Sequence, residues 1–175
     1  VQDKHQQPFA YLSRLMAFSK DRKQRIDVTS SVDKDGTLFW SAPGTDKWDL
    51  IALFIGRTLQ KVKRAAPGGE GLVMDHFSNS AVKCYFSKFD QAFARVNTFI
   101  PHNFFNDSYE VFNADWTPNL LEEFAKRRGY KLENYLPEFL DENRPDITRR
   151  IVSDYRETLS DLLLENFTCQ WTFWA

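Results

Sequence analysis

Three groups of side chains in this sequence are of the types that move protons or hold polar ligands: Asp75-His76, Asn106-Asp107 and Glu110. Each closes a short apolar or aromatic run. In a parallel α/β layer the carboxyl ends of the strands share one face, where such side chains gather. Glu110 sits among Tyr109, Val111 and Phe112. An apolar setting raises a carboxyl pKa and keeps the acid protonated for donation, which makes Glu110 the candidate catalytic acid. Asp75, His76, Asn106 and Asp107 are candidates for contacts to substrate. Each also has a structural alternative. Asp75 and Asp107 equally suit hydrogen bonds to backbone N–H groups of the turns that follow them. A single His76 suits a satisfied structural role, and Glu110 a solvent-facing loop.

The run Lys63-Arg64-Ala65-Ala66-Pro67-Gly68-Gly69-Glu70-Gly71 is basic and glycine-rich. It lacks the Gly-Lys-Ser/Thr ending of a phosphate loop and the three-glycine spacing of a dinucleotide site. A constrained loop that holds an uncharged polar ligand fits better, with Lys63, Arg64 and Glu70 as further substrate-binding candidates.

The elements that must position these groups divide the chain in two. Residues 1–60 read as a β-rich meander, with strands over Arg25–Thr29, Thr37–Trp40 and Trp48–Ile55 and turns at Asp33–Gly36 and Ala42–Gly44. From residue 61 the pattern becomes strand then helix. Gly71–Phe77 reads as a short strand, and Ser78 or Asn79 caps a helix from Ala81 to about Val96. Its Val82, Tyr85, Phe86, Phe89 and Phe93 make one apolar stripe. The aromatic run at Asn103–Phe105 reads as the next strand. Thr117 with Pro118 opens a helix that Gly129 closes. Pro145-Asp146 begins the longest helix, whose apolar face runs from Ile147 through Ile151, Tyr155, Leu159, Leu162 and Leu163 to Phe167.

Composition narrows the partners. With 23 Lys and Arg against 24 Asp and Glu, the net charge of -1 gives no broad pull toward nucleic acid or an anionic membrane. The clusters Lys61–Arg64 and Lys126–Arg128 are short, and the second suits a helix C-terminus. No apolar run reaches the roughly twenty residues of a membrane span, and no signal peptide is visible. Cys84 and Cys169 suggest no metal knuckle or disulfide framework and read as core-facing side chains. The 15% aromatic content suits a mixed core or a sugar-stacking surface equally.

The run Lys61-Val-Lys-Arg-Ala-Ala-Pro-Gly-Gly-Glu-Gly-Leu-Val-Met-Asp-His-Phe-Ser78, followed by Asn106-Asp-Ser-Tyr-Glu110 and Trp116-Thr-Pro118, resembles the α-L-rhamnosidases of glycoside hydrolase family 106. Asp27–Thr29, Asp35–Thr37, Trp40 and Trp48 resemble the β-rich insertion of those enzymes, and Trp171–Ala175 one of their barrel helices. The resemblance implies an α/β fold: an incomplete (β/α)8 TIM-barrel portion over 61–175, preceded by a small antiparallel β-rich segment over 1–60. It implies inversion at the anomeric carbon, a bound calcium ion and Glu110 as the general acid. It also implies a general base downstream of Ala175, so that the chain is expected to be inactive alone. Asp75, Asn106 and Asp107 are oxygen donors of the kind calcium takes, though none is matched to a ligand position. The implied partners are a carbohydrate containing L-rhamnose and the remainder of the barrel, in the periplasm or outside the cell. The alternative is a noncatalytic carbohydrate-binding or purely structural fragment.

Overall fold

The structure, a computed structural model, describes residues 10–96, 101–107 and 109–175. Ser108, inside the Asn106–Glu110 motif, lies outside the described residues, as does the start of the expected meander at residues 1–9. The chain is a mixed α/β protein with a small antiparallel sheet and several helices. It divides into two compact units, Val1–Arg57 with Leu121–Tyr155, and Thr58–Leu120 with Arg156–Ala175.

The first unit is built on β1 (Ala10–Ser19), β2 (Arg25–Asp27) and β3 (Trp48–Gly56), in the order β2-β1-β3. A register shift at Leu12/Arg14 marks an irregularity in β1, after which its side chains alternate cleanly between two faces. Leu15 and Ala17 pack with Val28 on one face, and Met16 and Phe18 with Leu136 on the other. The central strand, which was not among the expected ones, is therefore buried on both sides over Leu15–Ser19. This unit also holds α2 (Leu120–Arg128), whose first residue belongs to the second unit, and the short α3 (Leu136–Phe139). Phe124 of α2 is fully buried and meets Tyr130 edge to face at 5.0 Å. The Tyr130 hydroxyl donates to Asp154 at 2.8 Å. Burial and that carboxylate push its pKa above the ordinary phenol value.

The second unit carries α1 (Asn79–Phe93). The helix α4 (Asp146–Leu163) runs from the first unit into the second and continues through a π-helical turn at Leu164–Thr168 into α5 (Cys169–Trp174). Val82, Phe86 and Phe167 form the core here, with Met74, Leu163, Trp171 and Trp174 packed around them. Trp174 stacks on Phe86 at 4.9 Å and donates from Nε1 to Asp90 at 2.7 Å.

Several expected features take a different form. Thr37–Trp40 contributes one isolated bridge, Val32 to Leu38, beside the expected Asp33–Gly36 turn with Gly36 at φ +84°. Gly71–Phe77 makes one antiparallel bridge, Lys61 to Leu72, and the described residues between 101 and 119 form no strand. An extended segment becomes a strand only where a neighbour takes its backbone hydrogen bonds. The helical stripe is narrower than its periodicity suggests, since Tyr85 and Phe89 are exposed while Val82 and Phe86 are buried. Ile147 is likewise exposed, and α4 buries Thr148 and Thr158 in addition to Ile151 and Leu162. Cys84 and Cys169 are both exposed free thiols rather than core residues. Cys84 lies two positions from Val82 and from Phe86, which turns it off the buried face of α1.

Candidate active site

The candidate residues of the second unit are positioned by a chain of short turns rather than by strand ends. Residues 60–73 fold back on themselves, with the Val73 N–H donating to the Gln60 carbonyl at 2.9 Å and the Val62 N–H to the Gly71 carbonyl at 3.0 Å. The tip between them closes through Gly69 N–H to Ala66 O at 2.8 Å, with Gly68 at φ +82°. Glu70 accepts from the Gly68 N–H at 2.9 Å. That carboxylate therefore braces its own loop.

Asp75 makes the next turn. One of its oxygens accepts from the Phe77 N–H at 2.9 Å, and the other from the hydroxyl of buried Thr117 at 2.8 Å. These bonds tie the residues before α1 to those before α2. Ser78 then caps α1, its Oγ accepting from Ala81 N–H at 3.3 Å. Asn166, in the π-helical turn, donates to the Phe77 carbonyl at 2.7 Å. A π turn carries one extra residue, which lets α4 and α5 continue while presenting Asn166 and Phe167 to this corner.

His76 is held between two rings, Tyr109 at 5.1 Å and Phe167 at 4.7 Å, both edge to face. Its Nδ1 is buried without a hydrogen-bond partner. Burial holds the imidazole below its ordinary pKa, while the nearby Met74 backbone and the charge of Asp75 act the other way. The neutral ring therefore dominates near pH 7 and can exchange hydrogen bonds with an uncharged hydroxyl. Burial also raises the Tyr109 phenol, with Asp75 adding to the effect, so this group stays protonated.

These residues border a cavity of about 410 Å³. That volume lies in the range of small-ligand sites. Lys61, Lys63, His76, Asn106, Tyr109 and Glu110 bring polar groups to it, and Phe105, Phe112, Phe167 and Trp171 bring aromatic surface. Fused apolar and polar lining of this kind suits a sugar, which shows C–H groups on its faces and hydroxyls at its edges.

The sequence profile of glycoside hydrolase family 106, described as alpha-L-rhamnosidase, matches residues 6–171. The chain belongs to this α-L-rhamnosidase family. A curated protein of Formosa agariphila named "Putative beta-glucuronidase" is 33% identical over 153 residues, which are 83% of this chain and 13% of that protein. A solved structure of a rhamnosidase from Novosphingobium sp. PP1Y matches with a TM-score of 0.68 at 29% identity, covering 83% of this chain and 15% of that one. The chain thus spans 13% to 15% of the length of these two relatives.

Within this rhamnosidase-family chain, the cavity gathers four of the residues singled out from sequence: Glu110, His76, Asn106 and Lys63. Of these, only His76 is partly buried; Glu110 is exposed, between exposed Tyr109 and half-buried Val111, rather than enclosed in the expected apolar setting. Asp75 lies outside the cavity lining, with both oxygens in hydrogen bonds to protein. Arg64, Glu70 and Asp107 are exposed and lie outside the cavity lining. Among the described residues no group of three or more His, Cys, Asp or Glu side chains is arranged to hold a metal ion. They offer no acidic cluster of the kind calcium takes. Gln60, Lys61 and Tyr109 also line the cavity, and sequence reasoning did not single them out. Tyr109 adjoins Glu110 and was within reach of the motif, whereas Gln60 carries no local signature.

Proposed function

We propose that this chain forms part of the catalytic domain of an inverting α-L-rhamnosidase, with Glu110 as the general acid. The observation that carries the reading is the placement of Glu110 at a sugar-sized cavity, beside His76 and Asn106, in a chain of this family. In the reaction the Glu110 carboxyl gives its proton to the glycosidic oxygen as the bond from that oxygen to the anomeric carbon breaks. Water adds to the opposite face and gives up a proton to a second carboxylate, roughly 6.5 to 9.5 Å from the acid. The products are the inverted sugar and the free alcohol of the leaving group. The second carboxylate, further strands of a (β/α)8 barrel and a calcium site belong, in this reading, to the rest of the enzyme. His76 and Asn106 bind sugar hydroxyls, and Lys63 reaches the rim. The enzyme works on rhamnose-containing glycans in the periplasm or outside the cell. Among the described residues no helix is long and apolar enough to cross a membrane.

Glu110→Gln in the full-length enzyme tests the assignment. Rhamnosides with poor leaving groups are expected to lose about 10²–10⁴-fold in kcat, because they need the proton. Activated aryl rhamnosides, which depart without it, are expected to keep most of their rate. Equal loss on both substrates would remove Glu110 from the acid role.

A second reading concerns the sugar. Lys61 and Lys63 line the same cavity, and the Formosa agariphila relative carries a glucuronidase name. Two ammonium groups at the rim suit a uronic acid better than a 6-deoxy sugar. The family match favours rhamnose, and the two sugars differ in charge, which makes them separable by experiment.

A further inference from the structure

Gln60 has no part in the chemistry above, yet its side chain is bonded on both sides of the residue that follows the acid. Its Nε2 donates to the Glu110 carbonyl at 2.7 Å, and its Oε1 accepts from the Phe112 N–H at 2.8 Å. We propose that Gln60 is a positioning residue for Glu110, its side-chain amide making the pair of bonds that a neighbouring strand would make to this segment. The proposal rests on the reading of Glu110 as the acid.

The bonding pattern supports it. In a parallel sheet one residue donates to the carbonyl before its partner and accepts from the N–H after it. The Gln60 carboxamide makes this pair of bonds around Val111. The backbone at Glu110 and Phe112 is thereby fixed without a strand, in a stretch that forms none among its described residues. Gln60 is itself anchored, since its carbonyl accepts from Val73 at 2.9 Å and Lys61 bridges to Leu72. Leu59 just before it has φ +54°, a conformation that L side chains rarely adopt and that re-aims the chain at this point. The clamp thus ties the acid's backbone to the same hairpin that brings Lys61 and Lys63 to the cavity.

The residue type follows from the task. A carboxamide supplies one donor and one acceptor in one plane and adds no charge next to the acid. Asn is one methylene shorter and cannot span both bonds from the same backbone. Glu keeps the acceptor for Phe112 but sets a carboxylate oxygen against the Glu110 carbonyl.

The test uses the full-length enzyme with Gln60→Ala and Gln60→Glu beside Glu110→Gln. Each is assayed on a rhamnoside with a sugar or alkyl leaving group and on an activated aryl rhamnoside, with thermal melting as the folding control. Misplacing a catalytic group by about 1 Å costs on the order of 10²-fold. Both Gln60 variants are therefore expected to lose about ten- to hundredfold in kcat on the poor leaving group. KM should change little, and the aryl substrate should be nearly unaffected. If Glu110→Gln shows the leaving-group split but neither Gln60 variant does, the positioning role is wrong and the acid assignment stands. Equal loss on both substrates in the Gln60 variants likewise overturns the positioning role. If Glu110→Gln itself shows no split, the acid reading fails and the role of Gln60 with it. Gln60→Glu preserves the shape of the side chain, so it still reports if the alanine variant melts early.

Discussion

Asp75 shows how a residue that looks chemical can act through geometry. Both of its oxygens are engaged, with the Phe77 N–H and the hydroxyl of Thr117, which is 1% exposed. Asp75→Ala leaves a buried hydroxyl and a backbone N–H without partners, a loss of about 1–3 kcal/mol. Urea unfolding of the protein is expected to show that drop, and, under the proposed function, the full-length enzyme is expected to bind rhamnosides more weakly as His76 shifts. A variant with unchanged stability and lost binding would instead make Asp75 a direct ligand contact. At this scale the sequence was legible where chemistry and local turn propensity coincide. The Asp75-His76 pair and Glu110 stand out by type and spacing alone. Gln60 does not, because its two bonds reach 50 and 52 residues along the chain and no local pattern encodes them. Glu70 was legible as a polar loop residue but not as one bonded to its own Gly68 N–H, since that bond depends on the tip conformation.

Helices were easier to foresee than strands, and for a physical reason. A helix is closed by residues within a turn of its ends, so Ser78 before α1 and Gly129 after α2 announce themselves locally. Gly129 indeed has φ +79°, with its N–H bonded to Ala125 at 3.0 Å. A strand needs a partner that sequence does not name. Trp48–Gly56 found one in β1, whereas Gly71–Phe77 found only a single bridge. The continuation of α4 through a π turn into α5 was hidden as well, because one extra residue leaves the apolar pattern nearly intact. The cap of α1 gives the prediction at this scale. Ser78→Ala removes the bond to Ala81 N–H and is expected to lower stability by about 1 kcal/mol, while Ser78→Asp retains the acceptor and most of the stability. Thermal or urea melts of the two variants check the order. Equal melts would mean that the helix start is held by other contacts, such as Asn166 to the Phe77 carbonyl.

At the scale of the whole molecule, charge is what separates the two proposed sugars. Positive and negative side chains nearly cancel, with 23 Lys and Arg against 24 Asp and Glu, so the chain offers no large field of its own. What remains is local: Lys61 and Lys63 at the cavity. A neutral rhamnoside has no net charge for any field to steer, however the rest of the enzyme is charged. An acidic sugar does, and its attraction to exposed ammonium groups falls as salt shortens the screening length from about 10 Å at 0.1 M to about 3 Å at 1 M. The kcat/KM of the full-length enzyme on an aryl α-L-rhamnoside is therefore expected to stay nearly flat across that range. Lys63→Ala should leave it flat. A steep fall with salt on the natural glycan, abolished by Lys63→Ala, would show that the cavity rim reads a carboxylate. The deoxy-sugar reading would then give way to the acidic one, with the proposed role of Glu110 unchanged in either case.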